Sequence, residues 1–126
     1  MNMIIAIALG GGLGSVIRNY SITAATNLWG QAFPYGTLLV NVLGSFIIGA
    51  LMEIMALKWQ VSLETRAFLV TGFLGGFTTF STFSLDVLKL VETDQYLASL
   101  LYVSLSVTLS LAAIFLAVHI MRGVFS

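Results

Sequence analysis

The chain has 126 residues, of which 59% are hydrophobic and only 8% charged, at a formal net charge of zero. An ordinary soluble domain carries about 25% charged residues, so this chain cannot cover itself with a solvated shell, and its mean hydropathy of +1.04 points to lipid. Zero net charge leaves no electrostatic case for a nucleic acid or an anionic surface as partner, and the absence of cysteine excludes disulfides, thiolate metal sites and thiol nucleophiles.

Spans of about 20 apolar residues predict membrane-crossing helices, and the length holds four of them with short connections. The expected architecture is one all-α integral membrane domain over 1–126. The first span is expected at about 3–25, with Arg18 and Asn19 toward its far end. It begins in MNMIIAIALGGGLG, which has no basic region, so no cleavable signal peptide is expected. The second span, about 34–57, opens at FPYG, where Pro34 suits a first helical turn because it has no N–H to satisfy. KWQVSLETR follows as a polar connection, and Ser62 ahead of Glu64 and Thr65 reads as a helix start. The third span is expected at about 67–91, the ETDQ segment as a turn, and the fourth span at about 96–121.

An even number of spans puts both termini on one side, together with Lys58, Arg66 and Arg122; the other side receives Arg18 and Lys89. Orientation normally follows an asymmetry of basic residues, and here there is almost none. The expectation is insertion in both orientations with an antiparallel homodimer as the stable form. The alternative is a single orientation set by one residue of difference.

The third span holds GFLGGFTTFSTFS (72 to 84), with three glycines, five hydroxyl side chains and four phenylalanines. Glycine costs about 1 kcal/mol relative to alanine in a helix, and a 25-residue helix of roughly 37 Å exceeds the ~30 Å hydrocarbon core. The span can therefore spare residues for a break near its middle. Broken backbone at membrane depth must be buried, wet or coordinating, and bared carbonyls suit a hard cation such as Na⁺. Gly72 and Gly76 can equally mark a close helix contact of the small-xxx-small type. Past the break, Phe80 and Phe83 share one face, with Ser81, Thr82 and Ser84 around the same turns.

Two further spans carry polar stripes at i, i+4, i+8: Thr37, Asn41 and Ser45 in the second, Tyr102, Ser106 and Ser110 in the fourth. Asn41 is the sharpest member, since a buried carboxamide leaves several hydrogen-bonding groups to satisfy. Three stripes without a dominant charge point to a path lined by neutral donors, with packing glue between helices as the alternative. Hydroxyl and amide donors, together with the positive edges of phenylalanine rings, favour an anion. A cation path would show rings of Asp or Glu, whereas the acids here lie toward span ends and loops. Glu53 and Asp86, the deepest, are expected to snorkel at the interface.

GGGLGSVIRN (10 to 19), GTLLVNVLGS (36 to 45) and GFLGGFTTFSTFS (72 to 84) resemble the characteristic segments of the Fluc (CrcB) fluoride channels, in order and over the whole chain. The resemblance implies a passive, fluoride-selective channel in the bacterial plasma membrane, exporting fluoride down its gradient. It also implies an antiparallel homodimer with a structural Na⁺ at its centre, held by the main-chain carbonyls of Gly75 and Thr78 from both subunits. The implied fluoride pathway comprises Asn41, the facing Phe80 and Phe83, and the hydroxyls of Thr37, Ser81, Thr82, Tyr102, Ser106 and Ser110. Arg18 is implied to face a vestibule. A proton-coupled exporter of the small multidrug type shares four spans, but needs a deep acid that the first span lacks; a non-transporting scaffold is the other alternative. An enzyme is not expected: His119, the only histidine, lies near the end of the fourth span.

Overall fold

The computed structural model describes residues 2–126, and every regular element among them is helical. Four stretches are long and apolar enough to cross a membrane: Met3–Trp29, Tyr35–Leu57, Leu63–Glu92 and Tyr96–Phe125. Helix α1 (Met3–Trp29) starts at Asn2, whose side chain accepts from the Ile4 N–H, and ends at Gly30, where φ of 82° turns the chain and the Gly30 N–H returns to Thr26 O. It runs past the expected end at residue 25 because Thr26 and Asn27 still satisfy helical backbone bonds; the apolar boundary and the helix boundary are set by different forces. Helix α2 (Tyr35–Leu57) begins directly after Pro34.

The third span is two helices. Helix α3 (63–77) opens on Ser62, whose Oγ accepts from the Thr65 N–H at 3.1 Å, as the sequence predicts. From Ala67 to Leu74 it widens into a π-helix, with the Gly75 N–H reaching back five residues to Val70 O. Thr78 and Thr79 are then extended, at φ/ψ of −86°/156° and −153°/120°. Helix α4 (Phe80–Glu92) follows, with Thr79 as its N-cap. The expected break is therefore present, but it falls on the two threonines, and both glycines before it remain helical.

The glycines have another task. A Cβ added at Gly72 would lie 2.9 Å from Ile7 O and 3.1 Å from the Cα of Gly10, and one added at Gly76 would lie 2.5 Å from Gly11 O. A Cβ at Gly14 would run into Phe73 O. Two backbones thus meet face to face, the close contact that small residues permit. Helix α5 (Tyr96–Phe125) packs along α2, and Glu53 at the end of α2 pairs with Arg122 near the end of α5 at 3.1 Å. This ion pair sits on the side of the chain termini. At the opposite side Phe83, Leu90 and Tyr102 form a buried apolar cluster, joined by Phe33 and Leu38.

Candidate functional site

The break is held open from α2. Asn41 Oδ1 accepts from the Thr79 N–H at 2.7 Å, and Asn41 Nδ2 donates to Thr79 O at 3.0 Å. The carboxamide pairs with an extended residue as a neighbouring strand would, satisfying both backbone groups that the interruption strips of helical partners. Gly44, one turn on, makes room: a Cβ there would collide with Thr78 Cγ2. Thr79 Oγ1 accepts from the Thr82 N–H at 3.1 Å and lies 3.3 Å from Ser81 Oγ. A threonine N-cap of this kind contributes about 1 kcal/mol to the helix it starts.

Beside the break lies a groove of about 390 Å³ between α2, α4 and α5. Asn41 and Ser45 line it from α2, Thr78, Thr79, Phe80 and Phe83 from the third span, and Ser106 and Ser110 from α5. Members of the second- and fourth-span polar stripes therefore converge on one space with the two phenylalanines, whereas the third-span hydroxyls Ser81, Thr82 and Ser84 are not among its lining. Ser106 is 7% exposed, and its Oγ is buried without a hydrogen-bond partner among the described residues. Buried hydroxyls are almost always paired, and this one faces the groove. The Phe80 and Phe83 rings meet at 5.4 Å and 51°. Phe83 is 9% exposed, whereas Phe80 is 78% exposed on the outer rim.

The other expected pathway residues lie apart from the groove. Ser81 and Thr82 serve the Thr79 cap. Thr37 and Tyr102 are buried, and Tyr102 O–H donates to Asp86 Oδ2 at 2.9 Å. Asp86 also lines a smaller hollow of about 190 Å³, together with Gln31, Lys89 and Gln95. The acids expected to snorkel are thus both turned to protein partners, Asp86 to Tyr102 and Glu53 to Arg122. Side-chain pairing across 16 and 69 positions leaves no local mark in a sequence. Arg18 donates from Nη1 to Gly76 O at 2.8 Å and is not part of the groove lining.

Thr79 was not among the expected site residues, although it both lines the groove and organises the break. Its signal was the run Thr78-Thr79: β-branched residues after two glycines favour extended backbone. The carbonyls of Gly75 and Thr78, the expected cation ligands, stand at the break. The helical donor for Gly75 O is the Thr79 N–H, which goes to Asn41 instead, and no cap or loop backbone bond reaches Thr78 O. No cluster of His, Cys, Asp and Glu that could hold a metal occurs among the described residues, so any cation here depends on such oxygens.

The model of the CrcB-like proteins (Camphor Resistance, CrcB) matches residues 5–118. A Rhizobium johnstonii protein named fluoride-specific ion channel FluC is 50% identical over 119 residues, covering 94% of this chain and 95% of its own. Relatives of the same name from Rhizobium meliloti (48% identity, 98% of each chain) and Rhodospirillum centenum (47%, 97% of each) are similar end to end.

Proposed function

The chain belongs to the CrcB-like family, and on that premise we propose that it is a passive fluoride-selective channel of the bacterial membrane, working as an antiparallel homodimer that exports fluoride down its electrochemical gradient. The names of its relatives describe a channel and not an enzyme. The observation that carries the reading is the groove in which Asn41, Ser106 and Ser110 meet Phe80 and Phe83, with the Ser106 hydroxyl unpartnered.

Fluoride is small and strongly hydrated, so it enters a narrow apolar passage only where donors replace its water, by the logic of selectivity filters. Asn41 uses one Nδ2 N–H on Thr79 O and keeps the second. Ser45, Ser106 and Ser110 add hydroxyls, and the ring edges of Phe80 and Phe83 turn positive quadrupole toward an anion. The N-terminal end of α4, at Thr79 and Phe80 on the groove, adds the positive pole of a 13-residue helix. Tyr102 and Thr37 continue the track toward Asp86, with the tyrosine proton committed to that carboxylate. Arg18 stands outside this path, on the backbone of α3.

The opposite pole belongs to α3, whose C-terminal carbonyls favour a cation. Gly75 O and Thr78 O, from each of two copies, would hold Na⁺, and the all-oxygen donor set suits a hard ion. An ion held by these carbonyls would offset their negative ends and join the two subunits that supply them. Gly75 is exposed in the single chain, as a residue reserved for a partner needs to be. The test is fluoride efflux from reconstituted vesicles followed by a fluoride-selective electrode. Fast efflux driven by membrane potential, with chloride retained, is expected. Efflux that follows a pH gradient at zero potential would favour a coupled exporter, and none at all a scaffold.

A further inference from the structure

Arg18 is the one charged side chain within the middle of α1, about 22 Å from the start of the helix and about 16 Å from its end. Ionisable residues at such depth face the protein and take a charge or a carbonyl as partner. The one salt bridge among the described residues joins Arg122 to Glu53, so no carboxylate answers Arg18. Its Nη1 donates to Gly76 O instead, at 2.8 Å and across 58 positions, a length typical of charge-assisted bonds. Gly11, Ser15 and Arg18 fall on one face of α1. The backbone of Gly76 is pressed onto that face, since a Cβ there would lie 2.5 Å from Gly11 O and 3.1 Å from Ser15 Oγ.

We propose that Arg18 is a positioning residue for the carbonyls of the break: its guanidinium replaces the helical donor that Gly76 O has lost, and so fixes Gly75 O and Thr78 O on either side for the cation. The role rests on the cation reading given above. Two side chains then lock the interruption from opposite helices, Arg18 at Gly76 O and Asn41 at Thr79. Thr78 O lies between these clamps and Gly75 O immediately before them. An arginine acting only through its charge would repel a neighbouring cation, and its removal would strengthen Na⁺ binding. An arginine that holds the backbone does the reverse.

Hydrogen–deuterium exchange over residues 78–83 of the full-length protein separates the two, read against NaCl with choline chloride keeping ionic strength constant. Arg18→Met is expected to exchange faster than the unmodified protein in choline, and to need at least about tenfold more Na⁺ for half-maximal protection. Arg18→Lys, which keeps a donor, is expected to recover part of both. Unchanged exchange, or a lower Na⁺ requirement in Arg18→Met, overturns the role. Protection of the unmodified protein that ignores Na⁺ defeats the cation reading itself, and this role with it. Should Arg18→Met not fold, the guanidinium protons of the unmodified protein decide in ¹⁵N-arginine spectra: slow solvent exchange at Arg18 relative to exposed Arg66 is expected, and equal exchange overturns the proposal.

Discussion

Ser106 and Asn41 pose opposite questions about a buried polar group. Ser106 has a hydroxyl without a partner, so in a purely structural protein Ser106→Ala removes an uncompensated group and stabilises by up to about 1 kcal/mol. The expected outcome is unchanged or raised thermal stability together with fluoride efflux reduced at least about tenfold; full efflux in Ser106→Ala would remove the serine from the path. Asn41 is satisfied twice over by Thr79, which couples its two roles. Asn41→Asp puts an anion against Thr79 O where a donor stood. Efflux is expected to be abolished, with a stability loss of about 1–3 kcal/mol measurable as a lower melting temperature. Phe80 is 78% exposed, so Phe80→Ile should abolish efflux with little change in folding, and normal efflux would release this ring from the mechanism.

Between elements, the decisive contact is α1 against α3. Four glycine positions there, Gly10, Gly14, Gly72 and Gly76, admit no side chain without colliding with backbone, and backbone cannot yield as a side chain does. Gly14→Ala is expected to destabilise by about 1–3 kcal/mol through overpacking. Gly12, with nothing within 4 Å of an added Cβ, should accept alanine with no loss, which makes Gly12→Ala the control in the same thermal melt. The π-helix from Ala67 to Leu74 belongs to the same contact. Its wider turn carries Phe68 O and Phe73 O toward Gly10 and Gly14, and such segments are common at functional sites. Close packing here sets where α3 stops, and so where its carbonyls are offered.

For the whole molecule, a chain this apolar shows much of its surface to lipid or to a second copy. Leu, Ile, Val and aromatic side chains are exposed on every spanning helix, and Gly75 opens outward with them. The sequence count sets three basic residues against two, but Arg18 lies within α1 on Gly76 O, which leaves Lys89 alone opposite Lys58, Arg66 and Arg122. For an antiparallel pair, reporters fused to the C-terminus are expected to register on both sides of the membrane. A signal from one side only would exclude the antiparallel pair. Adding two lysines to the Lys58–Arg66 connection should bias insertion and lower efflux by depriving each copy of an inverted partner.

Four spans, a broken third helix and three polar stripes were legible in the sequence because each is a local property: apolar length, glycine and β-branched content, and spacing along one helix. Family membership was legible for the same reason, carried by GTLLVNVLGS and GFLGGFTTFSTFS. What required the tertiary structure was the choice among partners. Nothing near Arg18 in the chain points to Gly76 O, nor near Tyr102 to Asp86. The break fell on Thr78 and Thr79 because Asn41 offers Thr79 both a donor and an acceptor, while α1 keeps Gly72 and Gly76 helical by packing against them. Periodicity tells which side chains share a face; which polar group each one satisfies depends on the helix that arrives opposite, and that is decided only when the helices pack.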